Sequence, residues 1–471
     1  MRFATTPTVE AEAALRDVQC RVFWLDRPDR PPAHEHLIGD TTADLVVVGG
    51  GFTGLWSALL ANDVDLGSDV MLLERGRIGD GGTGRNGGFV SASLTHGFGN
   101  GLSRWPTEMS TLLELGMRNL DDIERFVALN RIGCDFRRCG EVAVAVAPHQ
   151  VQELQHEFRE LRSMGVEAQY LDRDAITSMI HSPSYLAGLF DHRGVALVDP
   201  ARLAWGMEQV AELRGVRIHE NSEVLDFEDL GDRVALNLAH GRVVARRVIV
   251  ATNAFPSVIP AVRHRVVPVY DYVLMTEPLS DAQWASLGWA GREGLSDVGN
   301  QFHYYRPTDD GRILWGGYDA VYHSGNGFGP QFENDEDSYR RLATHFLQTF
   351  PQLEGVRFSH AWGGAIDTCS RFTAFWGTEA EGKVAYAAGF TGLGVGSSRF
   401  AAHVMLDLLG GRDTQRTRLE MVQTKPLPFP PEPLRSLGIK WTTLSLQKAD
   451  VRGRRNLWLR LLDRLGMGFD S

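Results

Sequence analysis

A short β-branched run, Leu45-Val46-Val47-Val48, passes without a break into Gly49-Gly50-Gly51-Phe52-Thr53-Gly54 and then into a helical segment from Leu55 to Ala61. Nothing else in the chain restricts the fold as much. A continuous apolar strand is one that helices cover on both faces. The glycines meet three separate steric demands: Gly49 permits a tight turn, Gly51 leaves the main chain bare for a phosphate, and Gly54 lets the helix pack close to the sheet. Free N–H groups at that helix start, aided by the helix dipole, face the phosphates. Val70-Met71-Leu72-Leu73 is the next strand, and Glu74, twenty positions past Gly54, ends it where a carboxylate accepts from both hydroxyls of a ribose. These parts in this order specify a doubly wound, Rossmann-like unit that holds a dinucleotide by its pyrophosphate.

Two further glycine stretches narrow the ligand. Thr83-Gly84-Arg85-Asn86-Gly87-Gly88 offers bare backbone against which a flat group can lie. Far downstream, the strand Val384 to Phe390 runs into Thr391-Gly392-Leu393-Gly394-Val395-Gly396 and a helix from about Ser397 to Leu409. A nicotinamide domain has no use for this second turn. A flavin has, because its ring gains negative charge on reduction and N–H groups at a helix N-terminus stabilise that charge.

At 471 residues the chain exceeds a single core, so two domains are expected. The net charge of -11 argues against nucleic acid as a partner, since phosphate binding needs a basic footprint. Met1 to Glu12 has no signal-type apolar core and no apolar run is long enough to span a bilayer, so a cytoplasmic protein without an integral membrane segment is expected. Cys20, Cys134, Cys139 and Cys369 have neither CxxC spacing nor paired histidines, which reads as reduced thiols rather than a disulfide frame or a metal site.

Helical spacing predicts helices over Met109 to Asn130, Val151 to Met164, Asp172 to Ile180, Asp199 to Leu213 and Asp335 to Phe350, with strands at Glu141 to Ala147, Val216 to Glu220 and Arg247 to Ala254. Val266 to Glu277 and Phe302 to Tyr318 are aromatic-rich and strand-like, with a turn at Asp309-Asp310-Gly311, and predict an antiparallel sheet on the substrate side. The expected fold is α/β and α+β, a Rossmann-like FAD-binding domain with an inserted antiparallel-sheet substrate domain. The segmentation is an N-terminal arm over 1–40, an FAD-binding domain from 41–136, 190–265 and 355–412, a substrate domain from 137–189 and 266–354, and a C-terminal extension over 413–471. In that extension Lys425 to Pro431 reads as a stiff connector and Leu457 to Leu465 as an amphipathic helix that docks on its own fold or a partner subunit.

From about Asp40 to Gly410 the chain resembles the glycine oxidase, D-amino acid oxidase and sarcosine oxidase superfamily of FAD enzymes. Its Thr83 to Gly88 run is most similar to the branch containing gamma-glutamylputrescine oxidase. Val198-Asp199-Pro200, Ala251-Thr252-Asn253-Ala254, Tyr304-Tyr305-Arg306, Gly311-Arg312 with Gly316-Gly317, and Gly392 to Gly396 support the resemblance. It implies that Gly49, Gly51, Thr53 and Gly54 hold the pyrophosphate, Glu74 and Arg75 the ribose, and Val224 the adenine. It also implies that Thr83, Arg85, Asn86, Gly87 and Gly88 line the flavin, and that Gly392, Gly394 and Val395 approach its pyrimidine end. Asn86 stands where some relatives carry a histidine bonded to FAD, and Cys369 is not at the flavin-linked position of sarcosine oxidases, which implies FAD held without a covalent bond. Trp315 stands where sarcosine oxidases carry a lysine that assists reaction with oxygen, so oxidase and dehydrogenase both stay open.

The implied chemistry is oxidation of the C–N bond of an amine or amino acid by hydride transfer to flavin N5. Imine hydrolysis follows, with reoxidation by oxygen giving hydrogen peroxide, or by a quinone or carrier. A nicotinamide-dependent dehydrogenase and a flavin domain serving RNA modification are the other classes. Orientation supplies most of the rate in such chemistry, and aromatic faces suit an ammonium group. The candidates for the substrate pocket are Tyr270, Tyr272, His303, Tyr305, Arg306 and Trp362, with Trp315, Phe390 and Asp319 beside them. Alternation sends Phe302, Tyr304 and Arg306 to one face of their strand and Gln301, His303 and Tyr305 to the other, without saying which face meets the flavin.

Overall fold

Thr41–Val48 occupies the middle of a mixed eight-stranded sheet in the computed structural model, which describes residues 3–4, 6–61 and 69–468. Met1, Arg2 and Thr5 of the N-terminal arm and residues 469–471 of the C-terminal extension lie outside the described residues. The strand runs parallel to Val70–Leu73 on one side and to Gly241–Val250 on the other. Arg217–His219 and Val384–Ala388 extend the parallel order. Leu45 and Val47 enter an apolar cluster on one face of the sheet, and Val46 and Val48 enter the cluster on the opposite face. Burial on both sides is why this segment reads as unbroken apolar sequence. The helices Phe52–Ala61 and Gly394–Leu409 pack together on the first of those clusters. Each starts just past a strand end at the same carboxyl edge, so two helix N-termini converge there.

A second sheet of nine strands faces that edge. Its long strand Val266–Thr276 pairs antiparallel with Phe358–Cys369 along its whole length and with Ile313–Gly317 on the other side. His303–Pro307, Gly294–Asp297 and Glu141–Ala145 continue the sheet, the last two as a parallel pair. Phe358–Cys369 falls in the stretch 355–412 expected for the nucleotide unit, yet its ladder is with the long strand of this roof sheet, and its one other bridge is to Gln19. Small residues make the pairing possible: a Cβ on Gly363 would come within 2.7 Å of the Tyr272 ring. Behind the sheet, the helix Glu336–Thr349 closes an aromatic core that contains Tyr272, Tyr305, Trp315 and Phe346.

The C-terminal extension contains a helix that the sequence reading does not anticipate, Leu434–Arg452, ahead of the expected one at Leu457–Arg464. The longer helix is tied to the roof through Asp450, whose carboxylate accepts from the backbone N–H of Asn300 and Gln301. The two helices are joined where Trp458 Nε1 donates to Thr442 Oγ1 over 3.0 Å.

Candidate functional site

The space between the two sheets is a single cavity of about 1750 Å³. Gly49, Gly51 and Thr53 line it at one end, Gly392, Gly394 and Val395 line it beneath, and Glu74, Arg75 and Val224 border it beside the first turn. The distant glycine turns therefore open on one volume. At the first turn, Gly49 adopts a φ of +112° and a Cβ there would stand 2.5 Å from the carbonyl oxygen of Ala251. Gly54 lies behind the cavity wall, where a Cβ would run into the carbonyl of Gly49. Glu74 braces the turn: one carboxylate oxygen accepts from Gly50 N at 2.6 Å and the other from Gly76 N at 2.7 Å. Burial raises this carboxyl above its usual range, and the two backbone bonds counter that effect. Each oxygen keeps a lone pair for a ribose hydroxyl.

Thr83 accepts from Phe52 N at 3.0 Å, which sets it over the helix start. Asn86 works inside its own loop: its amide donates to the carbonyls of Gly82 and Thr83, and its oxygen accepts from Gly88 N at 2.7 Å. Gly87 lines the cavity at a point where a side chain would meet the Tyr304 ring at 2.7 Å, while Gly88, with φ +76°, packs behind against Val198. Arg85 lines the cavity and is held by Glu333 at 2.8 Å and by the carbonyl of Asp80 at 2.9 Å. Two indoles support the loop from outside, Trp24 donating to the carbonyl of Asn86 and Trp362 to that of Arg85. At the second turn Asp367 accepts from Gly389 N at 2.6 Å, and burial pushes its carboxyl up to about 7.

None of Tyr270, Tyr272, His303, Tyr305, Arg306 and Trp362 is among the residues lining the cavity. Each has a partner elsewhere. Tyr272 donates to the carbonyl of Phe332, and Tyr270 accepts from Gly329 N. Tyr305 shares a 2.7 Å hydrogen bond with Tyr185. His303 is fully buried between Asp297 at 2.7 Å and His345 at 2.9 Å. Arg306 donates to the carbonyl of Val198, and burial lowers its guanidinium to about 10. Trp315 is buried against His303 and Tyr305. Phe390 and Asp319 do line the cavity, with Asp319 paired to Arg341.

The face of the roof that meets the cavity is the other one. Val267, Val269, Asp271 and Val273 project from the long strand, and Phe302 and Tyr304 from the start of His303–Pro307, which lies beyond the intervening Ile313–Gly317. Asp271, the sole acid of its strand, accepts from Tyr304 Oη at 2.6 Å and from Tyr272 N at 2.8 Å. Burial pushes its carboxyl up to about 7, and the Tyr304 bond acts the other way. An acid amid valines on one face of an alternating strand is the sequence signal that would have singled it out.

Whether FAD fits can be read from the glycines. A Cβ on Gly392 or Gly394 would meet nothing within 4 Å, so the protein itself leaves that space open. The helix that starts at Gly394 has no side-chain cap, which leaves its first N–H groups for a ligand. Together with the braced first turn, this donor set suits a diphosphate at one end and a ring that gains negative charge at the other.

The family model for FAD dependent oxidoreductase (DAO) matches residues 44–408. The chain is 32% identical to gamma-glutamylputrescine oxidoreductase of Escherichia coli (strain K12) over 425 residues, covering 88% of this chain and 93% of the relative. Among solved structures it is similar to glycine oxidase from Geobacillus kaustophilus, with a TM-score of 0.68 at 18% identity over 82% of this chain and 99% of the other. L-proline dehydrogenase from P. horikoshii matches at 0.66 and 17%, over 80% and 96%.

Proposed function

This chain belongs to the DAO family of FAD-dependent oxidoreductases, and from that premise we propose that it oxidises the C–N bond of a primary or secondary amine bound as a cation in the cavity between its sheets. Bound without a covalent link, FAD supplies the acceptor for the two electrons of amine-to-imine oxidation. Gly49, Gly51, Thr53, Gly54, Glu74 and Arg75 hold its diphosphate and ribose, and Val224 meets its adenine. The loop Thr83 to Gly88 and the turn Gly392 to Val395 hold its ring. All of these except Gly54, Gly84 and Gly88 line the one cavity, and the assignment rests on that and on the family resemblance.

The observation that carries the cationic substrate is Asp271. It faces the cavity among valines, and Tyr304 fixes its orientation by reaching over Gly316 of the intervening strand. An ammonium group has one anionic partner there and an apolar surround that strengthens the pairing. With a carboxyl near 7, Asp271 is also able to take the ammonium proton, which leaves the neutral amine that C–H cleavage requires. Arg85 stays with Glu333 and is a poor second anion site. More carboxylates than arginines line the cavity, which fits a cation as guest.

Oxygen is the proposed final acceptor, with hydrogen peroxide as product. A quinone or carrier is the second reading, favoured by Trp315, which puts a buried indole where the resemblance expects a lysine. The test is anaerobic mixing of the yellow protein with amines, amino acids and gamma-glutamylated polyamines, followed at about 450 nm where bound flavin absorbs. Bleaching by cationic amines supports the reading, and a panel that leaves the flavin oxidised rejects it. Admitting air and assaying peroxide then separates the acceptors.

A further inference from the structure

The helix Leu434–Arg452 is turned the wrong way round for a surface helix. Its inner side, with Ser445 and Ala449 buried and Ile439, Thr442 and Leu446 on the cavity wall, is largely small or polar. Its outer side carries Leu434, Leu437, Trp441, Leu444 and Val451 in the open, with Leu437 62% and Trp441 61% exposed. Lys440 and Lys448 stand exposed on the same side, and Arg452 at its end. The next helix continues the pattern: Leu457, Leu461 and Leu465 are exposed, with Arg460 and Arg464 between them. Single exposed leucines need no explanation, but a contiguous apolar face does.

Charge identifies the occupant. Between Lys425 and Met467 the chain has nine lysines and arginines and three acids, in a protein whose net charge is -11. All three acids are engaged within the fold: Glu432 by Tyr322 and Ser436, Asp450 by Asn300 and Gln301, and Asp463 by Arg455. The outward charge of this region is thus positive. The exposed residues of the long helix recur at heptad spacing, Leu434, Trp441 and Lys448 alternating with Leu437, Leu444 and Val451. A second copy pairing through this seam would bury Lys448 and set the two copies' lysines against each other, which disfavours that partner. A bilayer with anionic headgroups accepts both features, taking up leucine and tryptophan at the headgroup boundary and pairing with the cations.

We infer that the outer face of the Leu434–Arg452 helix, with its continuation at Leu457–Arg464, is a docking surface for an anionic membrane. No helix of the described residues is long and apolar enough to cross a membrane, so the attachment is peripheral. Because the inner side of the same helix walls the cavity, the bound protein carries that wall at the lipid surface.

Sedimentation of the full-length, flavin-loaded protein with vesicles tests this. Wild type is expected to co-sediment with phosphatidylglycerol-containing vesicles and to lose about tenfold or more in affinity on pure phosphatidylcholine or in raised salt. Leu437→Glu with Trp441→Glu should lose binding by a similar factor, as should Lys440→Glu with Lys448→Glu, while flavin absorbance and melting temperature stay at wild-type values. The inference is overturned if wild type stays in the supernatant with anionic vesicles, or if both double variants bind like wild type. A wild-type dimer by light scattering that the leucine and tryptophan changes convert to monomer, without vesicle binding, assigns the face to a second copy instead.

Discussion

The two glycine turns that frame the cavity look alike in sequence and differ in what surrounds them. At the first, the protein itself occupies the space a side chain would need: Gly49 is crowded by Ala251, and Gly54 by Gly49. At the second, Gly392 and Gly394 face open volume, while Gly389 before them is crowded by Cys369 and Gly396 after them by the carbonyl of Ser91. Each turn is braced by one buried carboxylate that accepts from a glycine N–H, Glu74 on Gly50 and Asp367 on Gly389. A glycine pattern therefore records two different constraints. One belongs to the polypeptide and the other to its guest.

Substitution separates these constraints. The largest effect is expected from Gly54→Val, where overpacking against the Gly49 carbonyl cannot relax without parting helix from sheet. A loss of about 3 kcal/mol or more in thermal or denaturant unfolding is anticipated, and wild-type melting would break the comparison. Gly394→Val is next. The apoprotein should melt as wild type does, because the new side chain has room, while flavin retention on gel filtration falls by about a hundredfold. An undiminished flavin content would mean that the open volume serves no ring.

Asp271→Asn asks whether the volume left open at the second turn continues to the roof as a substrate site. The KM for a cationic amine is expected to rise by about tenfold to a hundredfold, with flavin content unchanged. The pH dependence sharpens this. A carboxyl near 7 is ionised above that value, so wild-type amine affinity should weaken by roughly tenfold per pH unit below about 7, and the variant should show no such slope. The smallest effect is reserved for Asp367→Asn. The Asp367 carboxyl is raised in the fold, so its contribution to stability is present at low pH and declines as pH climbs from its ordinary range of about 4 to about 7. Melting curves across that window should show a downward trend with pH in wild type that is shallower in the variant. Equal trends would remove Asp367 from the account.

The Rossmann-like fold around the first turn was legible because glycine placement, strand burial and the acid after the second strand are local features with fixed spacing. The substrate side was not, and Tyr270, Asp271 and Tyr272 illustrate why. Period-two alternation says which residues share a face and is silent on which face is inside. The aromatic residues looked like a pocket because they are large, and they pack against the helix Glu336–Thr349 for the same reason. The small acid between them was the informative residue. The helix Leu434–Arg452 went unread for a related cause: Ile439 and Leu446 on its otherwise small or polar inner side break up the outer apolar stripe that a periodic pattern would reveal.

The indoles of Trp24 and Trp362 grip neighbouring carbonyls of one short loop, from positions separated by most of the chain. During synthesis the ribosome must therefore deliver the roof strand Phe358–Cys369 before both grips on that loop can form. With the flavin assigned to that loop as proposed, its berth is finished only after Phe358–Cys369 has left the ribosome, so a chain truncated before Trp362 is expected to lack it.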